Sequence, residues 1–317
     1  MYYSIRHTTR FRYSAPVSES VMEVRMQPRS DSQQRCITFR LQTQPRARVL
    51  NYSDYLGNSI HHFNVPGRHS MLSITAEALV EVLPPIALPE TFGADGWHAI
   101  AAQLDDHDAW DMTQPSQFAR PSEALRTLAY ELGVNRQHDP IVTLRQLNTA
   151  IFRAFAYAPQ STRVDSPIED AIGARRGVCQ DFAHIMIAMV RDLGIPCRYV
   201  SGYLFHRSGE HDRSEADATH AWIEVLLPGL GWVGFDPTNN LIVGDRHVRT
   251  AVGRDYADVP PTRGTFKGGS TSELQVSVRV APASAPSNQQ PAGLPPAPIE
   301  PDSNTWSDIP EEQQQQQ

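Results

Sequence analysis

Apolar and polar residues alternate in short runs through the first 84 positions. The runs are Tyr2–Tyr13, Val21–Pro28, Cys36–Thr43, Val49–Tyr55, Ser59–Val65 and Met71–Val82. A period of two marks strands with one buried face, and Leu56-Gly57-Asn58 and Pro66-Gly67 mark turns between them. The pattern predicts an N-terminal β-rich domain over residues 1–84, an antiparallel sheet or sandwich. His61 and His62 are adjacent on one strand, point to opposite faces and so make no joint metal pair. The proline-broken passage from Leu83 to Pro89 closes this unit. Residues 85–120 read as a connector. Its acidic and histidine side chains, Asp95, His98, Asp105, Asp106, His107, Asp108 and Asp111, lack the spacing of a calcium loop and predict a hydrated segment.

The period then changes to three and four. Ser122 caps a helix over Glu123–Leu132 that stops at Gly133. Thr143–Tyr157 places Leu144, Leu147, Ile151, Phe152 and Phe155 on one face, and a short helix spans Glu169–Ile172. The next helix begins at Cys179, with Phe182, Ile185, Met186, Met189, Val190 and Leu193 on a single apolar face; Gly194 and Pro196 end it. Strand patterns return at Cys197–Leu204, and His220–Leu227 and Gly231–Asp236 flank the turn Pro228-Gly229-Leu230 as a hairpin. A strand to about Arg249, a loop over Val259–Gly264 and a last strand over Leu274–Val280 complete a unit spanning 121–280. From residue 281 the chain turns to Pro, Ala, Ser and Gln, too poor in apolar surface to order itself.

Composition narrows the classes. A net charge of −7 makes nucleic acid and anionic membrane poor main partners, and the arginines of the first 50 residues alternate with strand residues as solvated faces. Three cysteines, Cys36, Cys179 and Cys197, form neither a disulfide framework nor a paired metal motif. No signal-like segment opens the chain and no run reaches the ~20 apolar residues of a membrane span, so a cytoplasmic location is expected.

Of the cysteines, only Cys179 falls in the first turn of a helix, where free backbone N–H groups and the positive end of the macrodipole favour a thiolate. Taken alone it reads first as a small buried residue, since free cysteine is among the most buried types. A thiol nucleophile needs a base, and the base an orienting group. His184, five residues along the helix, lies about 140° around from Cys179 and is a poor base. His220 and Asp236 begin and end the hairpin. An odd loop sets them directly opposite with side chains on one face, where a His–carboxylate hydrogen bond can form. The plainer alternatives are a strand histidine, an aspartate that starts a turn before Pro237, or zinc held by Cys179, His220 and Asp236.

The stretches Gly177–His184, Gly194–Tyr203, Thr219–Trp222, Gly231–Thr238, His247–Arg249 and Val252–Pro261 together resemble the bacterial transglutaminase-like proteins of the papain-like cysteine protease superfamily. The β-rich start resembles the domain that precedes this core. Cys197, where a small residue is usual, and the polyglutamine end depart from the pattern. The resemblance implies an α+β protein, an N-terminal antiparallel β domain followed by a papain-like/transglutaminase-like core whose Cys-bearing helix packs on an antiparallel sheet. It implies a Cys179–His220–Asp236 triad and no cofactor or metal. The expected activity is a cysteine peptidase or amidase working through a thioester on a protein or peptide. Transfer to an amine, as in a protein-glutamine transglutaminase, and an inactive peptide-binding module are the alternatives. The oxyanion is expected at the Cys179 backbone N–H, with Gln180 or Tyr157 as the second donor.

Overall fold

Strand β1 (Tyr2–Val24) buries Tyr3, Ile5, His7 and Thr9 on one face, the alternation that a half-covered sheet requires. The computed structural model describes residues 1–93, 95–105, 107–207 and 209–286, and in it β1 is one strand where the pattern suggested two. The break around Ser14–Pro16 is absorbed by register shifts against β4 rather than by a turn. Strand β2 (Gln34–Gln44) and β3 (Val49–Ser53) follow, and β4 (Ser59–Val82) likewise runs unbroken through Pro66-Gly67. β4 pairs antiparallel with β1 on one side and with β2 and β3 on the other.

The connector holds two short helices, α1 (Gly96–Ala102) and α2 (His107–Asp111), where a hydrated loop was expected. Buried Ile100, Ala109 and Met112 show why: apolar residues spaced among the acids anchor them to the core. Helix α3 (Glu123–Glu131) starts at Ser122, whose hydroxyl accepts from the Leu125 N–H. Helix α4 (Pro140–Ala154) begins and ends three residues before its expected bounds. Asp139 caps it by accepting from Ile141 and Val142, with proline at the first helical position. The chain leaves α4 extended at Phe155, so Tyr157 is not in a helix but in β5 (Ala156–Tyr157). After α5 (Ile168–Ala174), β6 (Arg176–Gly177) pairs parallel with β5, with Tyr157 beside Gly177.

Helix α6 (Cys179–Asp192) was expected to bury one face; it is buried almost all round, from Gln180 to Arg191. It passes between β7 (Cys197–Leu204) and β8 (His220–Leu227) on one side and α3, α4 and α5 on the other. Its polar residues are therefore specifically partnered. Arg191 in the last turn donates to the carbonyls of Met112, Gln114, Cys197 and Arg254, so the helix end is fixed. With β9 (Gly231–Asp236), β10 (Leu241–Ile242) and β11 (His247–Gly253), these strands form an antiparallel sheet ordered β10-β9-β8-β7-β11.

The linear division of the chain needs one correction. Strand β12 (Thr262–Lys267), part of which read as loop, and β13 (Ser272–Ala283) do not continue the second unit; both pair with β1. The N-terminal sheet is thus built from both ends of the described chain, because β1 has a free edge along its whole length that these strands cover. The boundary at 280 falls inside β13, and the tail expected from 281 lies, from 287 on, outside the described residues.

The two sheets meet through an apolar layer of Tyr3, Ile5, Ala78, Val80, Val82, Tyr203 and Val248. Two buried amides extend this contact along the edge strand β11. Gln34 accepts from the Arg249 N–H and donates to its carbonyl, and Asn58 does the same for Val252. Each amide takes the place of a missing strand. Arg249 and Arg198 share the buried Glu224, and Arg249 also reaches Asp31 and Gln33. Among the described residues no helix is long and apolar enough to cross a membrane.

Candidate active site

Cys179 is the first helical residue of α6, after Val178 in extended backbone. The turn is set by Asp181, whose carboxylate folds back to accept from the Val178 N–H at 2.8 Å and from the Thr162 hydroxyl at 2.5 Å. Position 177 must be glycine for this, since a Cβ there would meet the Asp181 carboxylate at 2.7 Å. Burial raises the Asp181 carboxyl, and the two donors oppose that. The Asp181 and Phe182 N–H groups bond the Val178 carbonyl, and the Cys179 N–H, first in the helix and without an intrahelical acceptor, points to a ligand position beside the thiol. Cys179 itself is half-buried.

His220 opens β8 at 3% exposure. Its Nε2 donates to Asp236 Oδ2 at 2.8 Å, while Nδ1 is buried and unbonded. Cys179 is a charge neighbour of this imidazole. Burial pulls the imidazole pKa down; the charge and hydrogen bond of Asp236, followed by Cys179, outweigh that and hold it at about 10. The ring is thus fixed with Nε2 on a carboxylate and stays protonated at neutral pH, an imidazolium suited to pair with a thiolate.

Hairpin geometry explains the pairing, with one amendment. The loop is odd, with Leu227 opposite Gly231, so His220 and Asp236 do share a face. They are not directly opposite: Ile223 faces Phe235, which sets Asp236 level with Trp222, two residues from His220. The imidazole spans that diagonal.

Asp236, at 0% exposure, collects five donors. Oδ1 accepts from the backbone N–H groups of Thr238 and Asn239; Oδ2 accepts from His220, from the Asn239 side chain at 2.8 Å and from His247 at 3.3 Å. Burial would raise its pKa, but the charge and hydrogen bonds of His220 and His247 keep it well below the usual carboxylate range. Asp236 thus closes the turn through Oδ1 and bonds both histidines through Oδ2.

Two family descriptions match this chain. Residues 3–81 match the bacterial transglutaminase-like N-terminal region, and residues 126–237 match the transglutaminase-like superfamily. An uncharacterized protein of Mycobacterium tuberculosis is 36% identical over 292 residues, covering 88% of this chain and 92% of that protein. The chain belongs to the transglutaminase-like superfamily. A Pseudomonas aeruginosa protein-glutamine gamma-glutamyltransferase is 28% identical over 142 residues, 43% of this chain and 21% of its own. The fold is shared with the crystal structure of a Cytophaga hutchinsonii protein described as a candidate cysteine protease. That structure has a TM-score of 0.69 at 21% identity and is matched over 90% of this chain and 92% of its own.

Within this transglutaminase-like core, the two side chains named for the oxyanion separate. The Gln180 amide donates to the Val164 carbonyl at 2.9 Å and holds the 162–165 loop. Tyr157, placed by β5 beside Gly177, is a charge neighbour of Cys179. Burial, and then the charges of Cys179 and Glu215, raise its pKa, so it stays protonated. His184 lies apart from this chemistry: it accepts from the Tyr256 N–H, stacks on Phe118 and is lowered by burial to about 3. Sequence reasoning assigned no role to His247 or Asn239. The Asx turn at Asp236-Pro237-Thr238-Asn239 was the available signal for Asn239, and nothing local marked His247. Among the described residues one set of metal-capable side chains converges, His220, Asp236 and His247, with ligand atoms within 4.8 Å; Cys179 is not in it.

Proposed function

We propose that this protein is a cysteine hydrolase that cleaves peptide or isopeptide amides through a Cys179 thioester. The supporting observation is the imidazole of His220, bound to Asp236 through Nε2 and left free at Nδ1 on the Cys179 side. In this scheme the thiol proton already resides on Nδ1 as a thiolate–imidazolium pair, and the thiolate attacks the amide carbonyl carbon. The oxyanion is received by the Cys179 N–H and the Tyr157 hydroxyl. His220 then returns the proton to the leaving amine as the C–N bond breaks, giving a thioester and a free amine. Water, deprotonated by Nδ1, attacks the thioester and releases the acid and the thiol. Asp236 keeps the proton on Nε2 and stabilises the imidazolium throughout.

A primary amine in place of water would make the same site a protein-glutamine transglutaminase, the activity named for the Pseudomonas aeruginosa relative. Incubation with a glutamine-containing peptide and a primary amine separates the outcomes by product mass: deamidated or cleaved peptide for hydrolysis, an amine adduct for transfer. Cys179→Ala should abolish either product. Tight binding of intact peptide with neither product, unchanged in Cys179→Ala, would replace the enzyme with a peptide-binding module.

A further inference from the structure

His247 stands on β11, at the far edge of the sheet from β9, yet it reaches the same carboxylate oxygen as His220. It is 4% exposed. Its neighbours set its tautomer: the Gly244 N–H faces Nδ1 at 3.5 Å, so the ring proton sits on Nε2 and points to Asp236 Oδ2 at 3.3 Å. The ring is wedged by Trp222, whose indole meets it edge-on at 5.1 Å and lies 5.9 Å from the His220 ring. Trp222 fits only because position 202 is glycine; a Cβ there would come within 2.5 Å of the indole and 2.2 Å of the Val248 carbonyl.

Without His247, Oδ2 would be held by His220 on β8 and by the Asn239 amide just past β9, which is itself anchored to Arg213 and Ser214, and by nothing from β11. His247 ties that oxygen to β11. β11 is in turn held at Arg249 and Val252 by the amides of Gln34 and Asn58, so the strand that carries His247 is registered by the N-terminal sheet.

We propose that His247 is a positioning residue for acyl transfer: its Nε2–H fixes Asp236 Oδ2 in the place from which the carboxylate orients His220 toward Cys179. The inference rests on the cysteine-hydrolase reading, and it makes the N-terminal sheet part of the machinery that shapes the site rather than an appendage to it.

The test uses the full chain with two variants. His247→Phe keeps a ring against Trp222 and removes the donor; His247→Gln keeps a donor near the Nε2 position. On a peptide amide, His247→Phe should lower kcat on the order of tenfold, the low end for a hydrogen bond to a charged group, with KM within about twofold. His247→Gln should recover most of the loss. A His247→Phe enzyme with wild-type kcat overturns the proposal. So does an equal kcat loss in both variants accompanied by equal falls in thermal midpoint, which would make His247 a packing residue only. The iodoacetamide alkylation rate of Cys179 provides a readout independent of turnover. It should fall in His247→Phe and recover in His247→Gln, and an unchanged rate in His247→Phe counts against the proposal. If wild type shows no amide turnover, the hydrolase reading fails, while this alkylation series still decides the role of His247.

Discussion

Replacing Asp236 with asparagine is a nearly isosteric change with two separable effects. The carboxylate faces five donors: two backbone N–H groups on Oδ1 and three side-chain donors on Oδ2. An amide offers one oxygen and one NH2 group, so either orientation sets a donor against donors. With the oxygen kept toward Thr238 and Asn239, the NH2 group faces His220. The imidazole must then move its proton to Nδ1, the nitrogen that should accept the thiol proton. With the amide reversed, two buried backbone N–H groups lose their acceptor. At about 1–3 kcal/mol for each buried donor left unmade, the variant should lose roughly 2–4 kcal/mol after relaxation. At about 2–4 °C per kcal/mol for a chain of this size, the thermal midpoint should fall on the order of 10 °C. Turnover should fall far more: a wrong tautomer is worth about 10⁴ in kcat in the serine triad, and the same logic applies here. KM should barely move, because Asp236 has no exposed surface with which to touch substrate. The assay is kcat and KM on a peptide amide at a temperature where circular dichroism shows the variant folded. A folded Asp236→Asn enzyme with more than a tenth of wild-type kcat would refute the tautomer argument.

Three further outcomes follow from the same geometry. Iodoacetamide at pH 7.5 should label Cys179 well ahead of the other two: burial pushes Cys36 to about 11 and the fully buried Cys197 to about 12, leaving thiolate fractions on the order of 10⁻³ or less. Peptide mapping that finds the three labelled equally would remove Cys179 as nucleophile. Asn58→Ala strands the Val252 N–H and carbonyl inside the sheet contact and should cost about 3 kcal/mol in urea unfolding; a cost below about 0.5 kcal/mol would mean water replaces the amide. The His220–Asp236 pair should make stability depend on pH. The folded imidazole keeps its proton to about pH 10, whereas the unfolded one loses it near about 6.5. Its contribution is complete below about pH 6.5 and fades as pH rises to about 10. Asp236, depressed in the fold, adds a contribution that is complete above about pH 4 and lost on further acidification. The gap in thermal midpoint between wild type and Asp236→Asn should therefore be widest near pH 4–6.5, and a gap that grows toward pH 10 would contradict the assignment.

Local periodicity made the core legible. The start and stop of α6 and the strands β7, β8 and β9 were readable because glycine and proline punctuate runs whose period is unambiguous. What periodicity could not show was α6 buried on every side, since its outward positions carry Gln180, Asp181, His184 and Arg191, polar residues that read as solvent-facing until their partners are known. The early end of α4 was hidden too, because Phe155 and Tyr157 continue an apolar pattern that the chain satisfies in extended form. Parity along one hairpin, a local argument, made His220 and Asp236 candidates, and the family resemblance joined them to Cys179. His247 and Tyr157 were not placed that way, because each depends on pairing between segments distant in sequence: β11 with β7, and β5 with β6.

The same limit explains the misplaced end of the second unit and bears on what the N-terminal sheet is for. Strands β12 and β13 alternate like any others, and nothing in them names β1 as their partner. Once paired, they make the N-terminal sheet inseparable from the core: the chain enters through β1, leaves β4 for the helices and returns to β1 after β11. A domain that merely presented substrate would need only a hinge. This one shares an apolar layer with β7 and β11 and clamps β11 with Gln34 and Asn58, two residues from a ring that bonds Asp236 in the first case and five in the second. Cutting the chain before α1 would therefore uncover the Tyr203 and Val248 layer and free the strand that carries His247. The transglutaminase-like core expressed alone should aggregate or lose Cys179 reactivity, and a soluble core fragment alkylated at the full-length rate would show that the sheet contributes nothing to the site.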